Sequence, residues 1–99
     1  MSRPKLKKPD PHRQTVAIRN RLGLHARPAA KVAQTANRFT AVVTVTLKGE
    51  VVSAHSVTDL LLLAASQGTE LELSATGPEA EEAIAAIATL IEAGFGERK

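Results

Sequence analysis

A chain of 99 residues with 43% hydrophobic content is sized for one domain around one small core. It has no cysteine, which excludes disulfides and thiolate metal sites, and no apolar run longer than six residues (Leu60–Ala65 is one), far short of the ~20 of a membrane span. The net charge of +3 is uneven: residues 1–13 carry five Lys/Arg against one Asp, a net +4, while residues 14–99 carry eight against nine carboxylates, a net −1.

Residues 1–13, with Pro4, Pro9 and Pro11 among the basic side chains, read as a flexible tail that cannot bury a core. A basic tail can meet nucleic acid or acidic partners, but a solvated extension is the favoured reading. The folded domain is expected over 14–99. Gln14–Arg19 alternates around Val16 and Ile18 and predicts a strand. A helix follows over Ala26–Asn37. Ala29, Val32, Ala33 and Ala36 form its buried stripe, Lys31, Gln34 and Thr35 face water, and Asn37 is suited to a left-handed end.

Ala41–Leu47 places Val43, Val45 and Leu47 on one face of a second strand. Lys48-Gly49 makes a tight turn into a returning strand, Glu50–Ala54. Ser56 is placed to cap a second helix with apolar positions Val57, Leu60, Leu61 and Ala64, closed off by Gly68. Thr69–Ala75 alternates, with Leu71, Leu73 and Ala75 inward. After Thr76-Gly77-Pro78 a third helix starts near Glu79, buries Ala80, Ile84, Ile87 and Ile91, and stops at Gly94. The order β-α-β-β-α-β-α with one wet sheet face predicts an α+β, two-layer open-faced sandwich: four antiparallel strands with three helices on one face.

One stretch stands out, Asn20-Arg21-Leu22-Gly23-Leu24-His25-Ala26-Arg27-Pro28-Ala29-Ala30. It sets a histidine where a helix begins, with Pro28 in the first turn, where proline is tolerated. Helix starts offer unpaired N–H groups and a partial positive charge to anions. Imidazole is a nucleophile that titrates near neutrality. An arginine two residues on can fork onto phosphate oxygens. A lone histidine here would read as a surface or capping residue; with these neighbours His25 reads as a phosphoryl carrier, supported by Gly23, Ala26 and Arg27. Asn20 either steadies the ring, bonds the phosphate, or only shapes the turn. His12 and His55 show no metal-ligand spacing with His25, and neither a Walker loop nor a dinucleotide fingerprint is present. No metal and no cofactor is expected.

The Gly-Leu-His-Ala-Arg-Pro-Ala stretch resembles the phosphohistidine site of the HPr family, the small phosphocarriers of bacterial phosphotransferase systems. Ala36-Asn37-Arg38-Phe39, Ser56, Ala75-Thr76-Gly77-Pro78-Glu79-Ala80 and Ala93-Gly94-Phe95-Gly96-Glu97 extend the resemblance over residues 14–97, closest to the proteobacterial branch and its nitrogen-related paralogue. It implies the HPr-like fold, phosphorylation on the Nδ1 (pros) nitrogen of His25, and a stoichiometric relay rather than an enzyme. It further implies a phosphoenolpyruvate-charged Enzyme I as donor and a IIA-type protein as acceptor. A shallow apolar docking face would then include Ala26, Ala30, Val57 and Leu61.

Ser56 matches the family's regulatory serine, which an HPr-type serine kinase would phosphorylate, although its first reading is a helix cap. His55, Thr58 and Asp59 around it depart from the bulkier apolar residues of the sugar-type branch. The alternative function is a regulatory binding module gated by phosphorylation of His25 or Ser56. A nucleic-acid-binding domain is weaker, since Phe39 and Phe95 are the only aromatics available to stack bases. The expectation is a monomeric cytoplasmic protein with neither nucleic acid nor membrane as partner.

Overall fold

The computed structural model describes residues 10–97. The chain runs β1 (His12–Ala17), α1 (Ala26–Ala36), β2 (Val42–Leu47), β3 (Glu50–Ser53), α2 (Val57–Leu62), β4 (Glu70–Thr76) and α3 (Ala80–Glu92), followed by a single 3-10 turn over Gly94–Gly96. The four strands form one antiparallel sheet in the order β1-β4-β2-β3. This is the expected two-layer sandwich, with all three helices packed on the sheet's apolar face.

Alternation sets that face. Val16, Val43, Val45, Val52, Leu71, Leu73 and Ala75 point inward and are buried, while Glu70, Glu72 and Thr76 on β4 are exposed. Over them lie Ala29, Val32, Ala33 and Ala36 of α1, Leu60 of α2, and Ala80, Ala83, Ile84, Ile87, Ala88 and Ile91 of α3. Many of these core residues are alanines, and Phe95 is the one fully buried aromatic among the described residues. Lys48 and Gly49 both adopt positive φ (49° and 83°), the pattern of a two-residue type I′ hairpin.

Several boundaries differ from those expected of the sequence. β1 begins at His12, two residues early, and pairs His12 with Ala75 and Arg13 with Ser74. Part of the expected tail is therefore strand; positions 1–9 lie outside the described residues. Pro11 is compatible because β1 is an edge strand, where a missing N–H at the start breaks no ladder. Asn37 does cap α1 but is right-handed (φ −75°), its amide being drawn into bonds with His55. α2 ends sooner than its apolar run. Ala64 turns to φ 48° and is exposed, and Leu63 and Ala65 are buried in its place.

Candidate functional site

Leaving β1, the chain makes a tight loop before α1. Ile18 exchanges bonds with the turn that leads into β4, through Thr69 O and Gly68 N–H. Gly23 then takes φ +72° and donates to Asn20 O, while Leu24 N–H donates to Ala65 O at 2.9 Å. A Cβ on Gly23 would run into that same Ala65 carbonyl, so glycine is required here both for its backbone angle and for its lack of bulk. The loop delivers His25 to the N-cap of α1 in an extended conformation, and its O accepts from Ala29 N–H at 2.9 Å.

The His25 ring makes no capping bond. Its Nε2 lies 3.0 Å from Glu97 Oε2 and 3.3 Å from Oε1. Glu97 is held in turn by Asn20, whose Nδ2 donates to Oε1 at 2.9 Å and to Gly23 O at 2.7 Å. Asn20 is 1% exposed, the one buried polar side chain among the described residues, and its Oδ1 has no partner there. The Glu97 carboxyl is held below its ordinary value, chiefly by the Asn20 hydrogen bond; burial, the next largest effect, opposes this, and the charge and hydrogen bond of His25 and the charge of Lys31 add to the lowering.

An ionised carboxylate only accepts, so the His25–Glu97 contact assigns the proton to Nε2 and leaves the lone pair on Nδ1. Among the described residues Nδ1 has no hydrogen-bond partner, and neither do the N–H groups of Ala26 and Arg27. Pro28, next in line, carries no N–H. The start of α1 therefore presents a bare ring nitrogen beside two free amide donors and the positive end of an 11-residue helix. Arg27 is exposed and makes no ion pair among the described residues, so its guanidinium is at liberty to meet an anion.

The residues singled out in the sequence divide accordingly. His25, Ala26 and Arg27 lie together at the start of α1, with Gly23 in the loop that leads to it. Asn20 is drawn in, but it acts on Glu97 and makes no bond to the ring. Ser56 Oγ accepts from Asp59 N–H at 3.1 Å, which is the cap reading. Val57 and Leu61 are 37% and 41% exposed, Ala30 is half-buried, and α2 packs beside α1. Leu22 and Leu62, which the sequence does not single out, are more exposed still. Both nitrogens of His55 are used, Nε2 accepting from Val43 N–H at 3.0 Å and Nδ1 donating to Asn37 Oδ1 at 2.7 Å.

Two residues of the site escape sequence reasoning. Glu97 figures there only as the end of a matching segment. Lys31 is expected to face water, yet it is half-buried and its Nζ donates to Phe95 O at 2.7 Å. Nothing local marks either, because each acts on a chain segment more than sixty residues away.

Comparison with known proteins identifies the family. The family model described as "PTS HPr component phosphorylation site" matches residues 12–93. The phosphocarrier protein NPr of Escherichia coli K12 is 44% identical over 86 residues, covering 86% of this chain and 96% of the relative. The phosphocarrier protein HPr of Neisseria meningitidis serogroup A is 42% identical over 85 residues, covering 86% and 96%. Among solved structures, HPr-C-His from Thermoanaerobacter tengcongensis superposes with a TM-score of 0.85 at 43% identity, covering 89% of this chain and 99% of that one. The HPr of Bacillus anthracis gives 0.79 at 34%, covering 82% and 96%. The chain belongs to the HPr family of phosphotransferase-system phosphocarriers, proteins that carry a phosphoryl group rather than turn over a substrate.

Proposed function

We propose that His25 accepts the phosphoryl group on Nδ1 and passes it on, and that Glu97, Asn20 and Arg27 make this reversible. The observation that carries the reading is the carboxylate on Nε2, which fixes the tautomer and leaves Nδ1 the nucleophile. The Nδ1 lone pair attacks phosphorus, the bond to the donor nitrogen breaks, and the Nε2 proton stays in place. The ring gains positive character, which Glu97 offsets. The phosphoryl oxygens meet the Ala26 and Arg27 N–H groups and the Arg27 guanidinium. Onward transfer reverses each step on a second partner, and catalysis is mostly alignment.

The donor in this reading is phosphoenolpyruvate-charged Enzyme I and the acceptor a IIA-type protein. Both dock on the exposed face made by Leu22, Val57, Leu61 and Leu62 beside Ala26 and Ala30. Charging the chain with Enzyme I and recording its phosphorus and ring-nitrogen NMR spectra tests the assignment. Phosphate on Nε2, or a charged chain that no IIA-type protein discharges, would refute it.

Two further outcomes are expected. Ser56→Asp keeps α2, since aspartate caps as well as serine. It sets a charge beside the docking face and beside Asp59, so transfer from Enzyme I slows through a raised KM with little change in thermal midpoint. Unchanged kinetics would leave Ser56 as a cap and nothing more.

The second concerns Glu97. Its folded pKa lies below its unfolded one, so its contribution to stability is complete above the ordinary carboxylate range and is lost as pH falls through the depressed value. Glu97→Gln removes that acid-side loss. It also lowers acceptance at neutral pH by about tenfold, the scale of one charge-assisted hydrogen bond. Thermal unfolding against pH and phosphorylation rates check the two halves separately.

A further inference from the structure

Lys31 is six residues beyond His25 on α1, about 9 Å along the helix axis. Its ammonium reaches sideways to the turn that carries Glu97 and donates to the Phe95 carbonyl at 2.7 Å. That turn is conformationally costly. Gly94, Phe95 and Gly96 all sit at positive φ (65°, 59° and 73°), and Phe95 is not a glycine. The Phe95 side chain is 1% exposed, so the core anchors the middle of the turn.

A buried ring fixes where the turn begins. It does not fix which way the following peptide points, because glycine stands on both sides. One bond among the described residues constrains the carbonyl that leads from Phe95 toward Glu97 from outside the turn, and Lys31 supplies it. The same ammonium also favours the ionised Glu97 that Nε2 requires. An ordinary helix-face lysine would extend into water; this one is half-buried and hydrogen-bonded to backbone.

We infer that Lys31 is a positioning residue for His25: by pinning the Phe95 carbonyl it sets the Gly94–Gly96 turn and holds the Glu97 carboxylate on Nε2. The inference rests on the reading of His25 as the phosphoryl acceptor. It assigns a role in the site to a side chain that touches neither the ring nor the phosphoryl group.

The test uses the full chain with Lys31→Met, which keeps the aliphatic stem, and Lys31→Arg, which keeps the charge and donors. The ring nitrogens of His25 are followed by long-range proton–nitrogen NMR at neutral pH. In Lys31→Met the ratio of the Nε2–H to the Nδ1–H tautomer falls about fivefold, the weight of one hydrogen bond, and in Lys31→Arg it is restored. Phosphorylation by Enzyme I then slows in kcat, with KM unchanged, because the docking face is intact.

A folded Lys31→Met variant with the tautomer ratio of the parent overturns the inference, as does a loss that Lys31→Arg fails to restore. Glu97→Gln, run in parallel, separates the two readings. If it changes the tautomer ratio but leaves phosphorylation untouched, the acceptor chemistry proposed for Glu97 falls, and the tether from Lys31 is still judged by NMR alone.

Discussion

His25→Ala is expected to abolish phosphoryl acceptance while leaving the fold in place. His25 makes no capping bond, and its ring is about one-third exposed, so its removal opens no core cavity. The bond that the ring makes to Glu97 is a partly exposed one of the kind that adds little to stability, and Glu97 retains Asn20 without it. Of the other two histidines among the described residues, His55 has both ring nitrogens engaged, and His12 stands at the start of β1, outside the Gly23–Arg27 stretch. Incubation with phosphoenolpyruvate and Enzyme I should therefore leave the variant unlabelled, with a thermal midpoint close to that of the parent. Acid-stable label on the variant would point to a hydroxyl such as Ser56 and sink the histidine assignment.

Gly23→Ala is the substitution expected to damage fold and site together. The left-handed angle alone costs an alanine about 1 kcal/mol. The added methyl would also meet the Ala65 carbonyl and Ser66 Cα, both backbone, and that carbonyl is already bound by Leu24 N–H. With the collision included, a loss of roughly 2–4 kcal/mol is expected, or about 10–25 °C in midpoint for a domain of this size. Gly49→Ala is the control: its φ is also positive, +83°, but no atom lies within 4 Å of the new Cβ. It should lose only the conformational share. Equal losses at the two positions would show that the collision at Gly23 is relieved by movement of the loop. Phosphoryl acceptance by Gly23→Ala should fall as well, because the Gly23 carbonyl is the second anchor of Asn20.

Much of this architecture is legible in the sequence because it is written at short range. The alternation in β4, the stripe of α1, the Lys48-Gly49 turn and the Ser56 cap each depend on residues within a few positions of one another. The misplaced boundaries have tertiary causes. β1 continues back to His12 because Ala75 and Ser74 are there to pair with, and Asn37 stays right-handed because His55 takes its amide. The half of the site that carries the proposed acceptor, His25, lies within reach of sequence reading for the same reason as the turns, being one contiguous stretch. The half that orients the ring is not. Glu97 and Lys31 carry no periodicity, spacing or capping signal; their roles exist only once the end of α3 has been laid against α1.

That arrangement has a consequence for the order of events during synthesis. His25 and the carboxylate that orients it are 72 residues apart in the chain. β1 must wait for β4, its only strand neighbour among the described residues, and β4 must slot between β1 and β2. A nascent chain exposes His25 well before Glu97 is made, with the β1–β4 and β2–β4 pairings still to form in between. A polypeptide halted on the ribosome before Glu97 would hold His25 with neither nitrogen favoured. Competence to be charged thus reports that α3 and the turn after it have been made and laid against the start of α1.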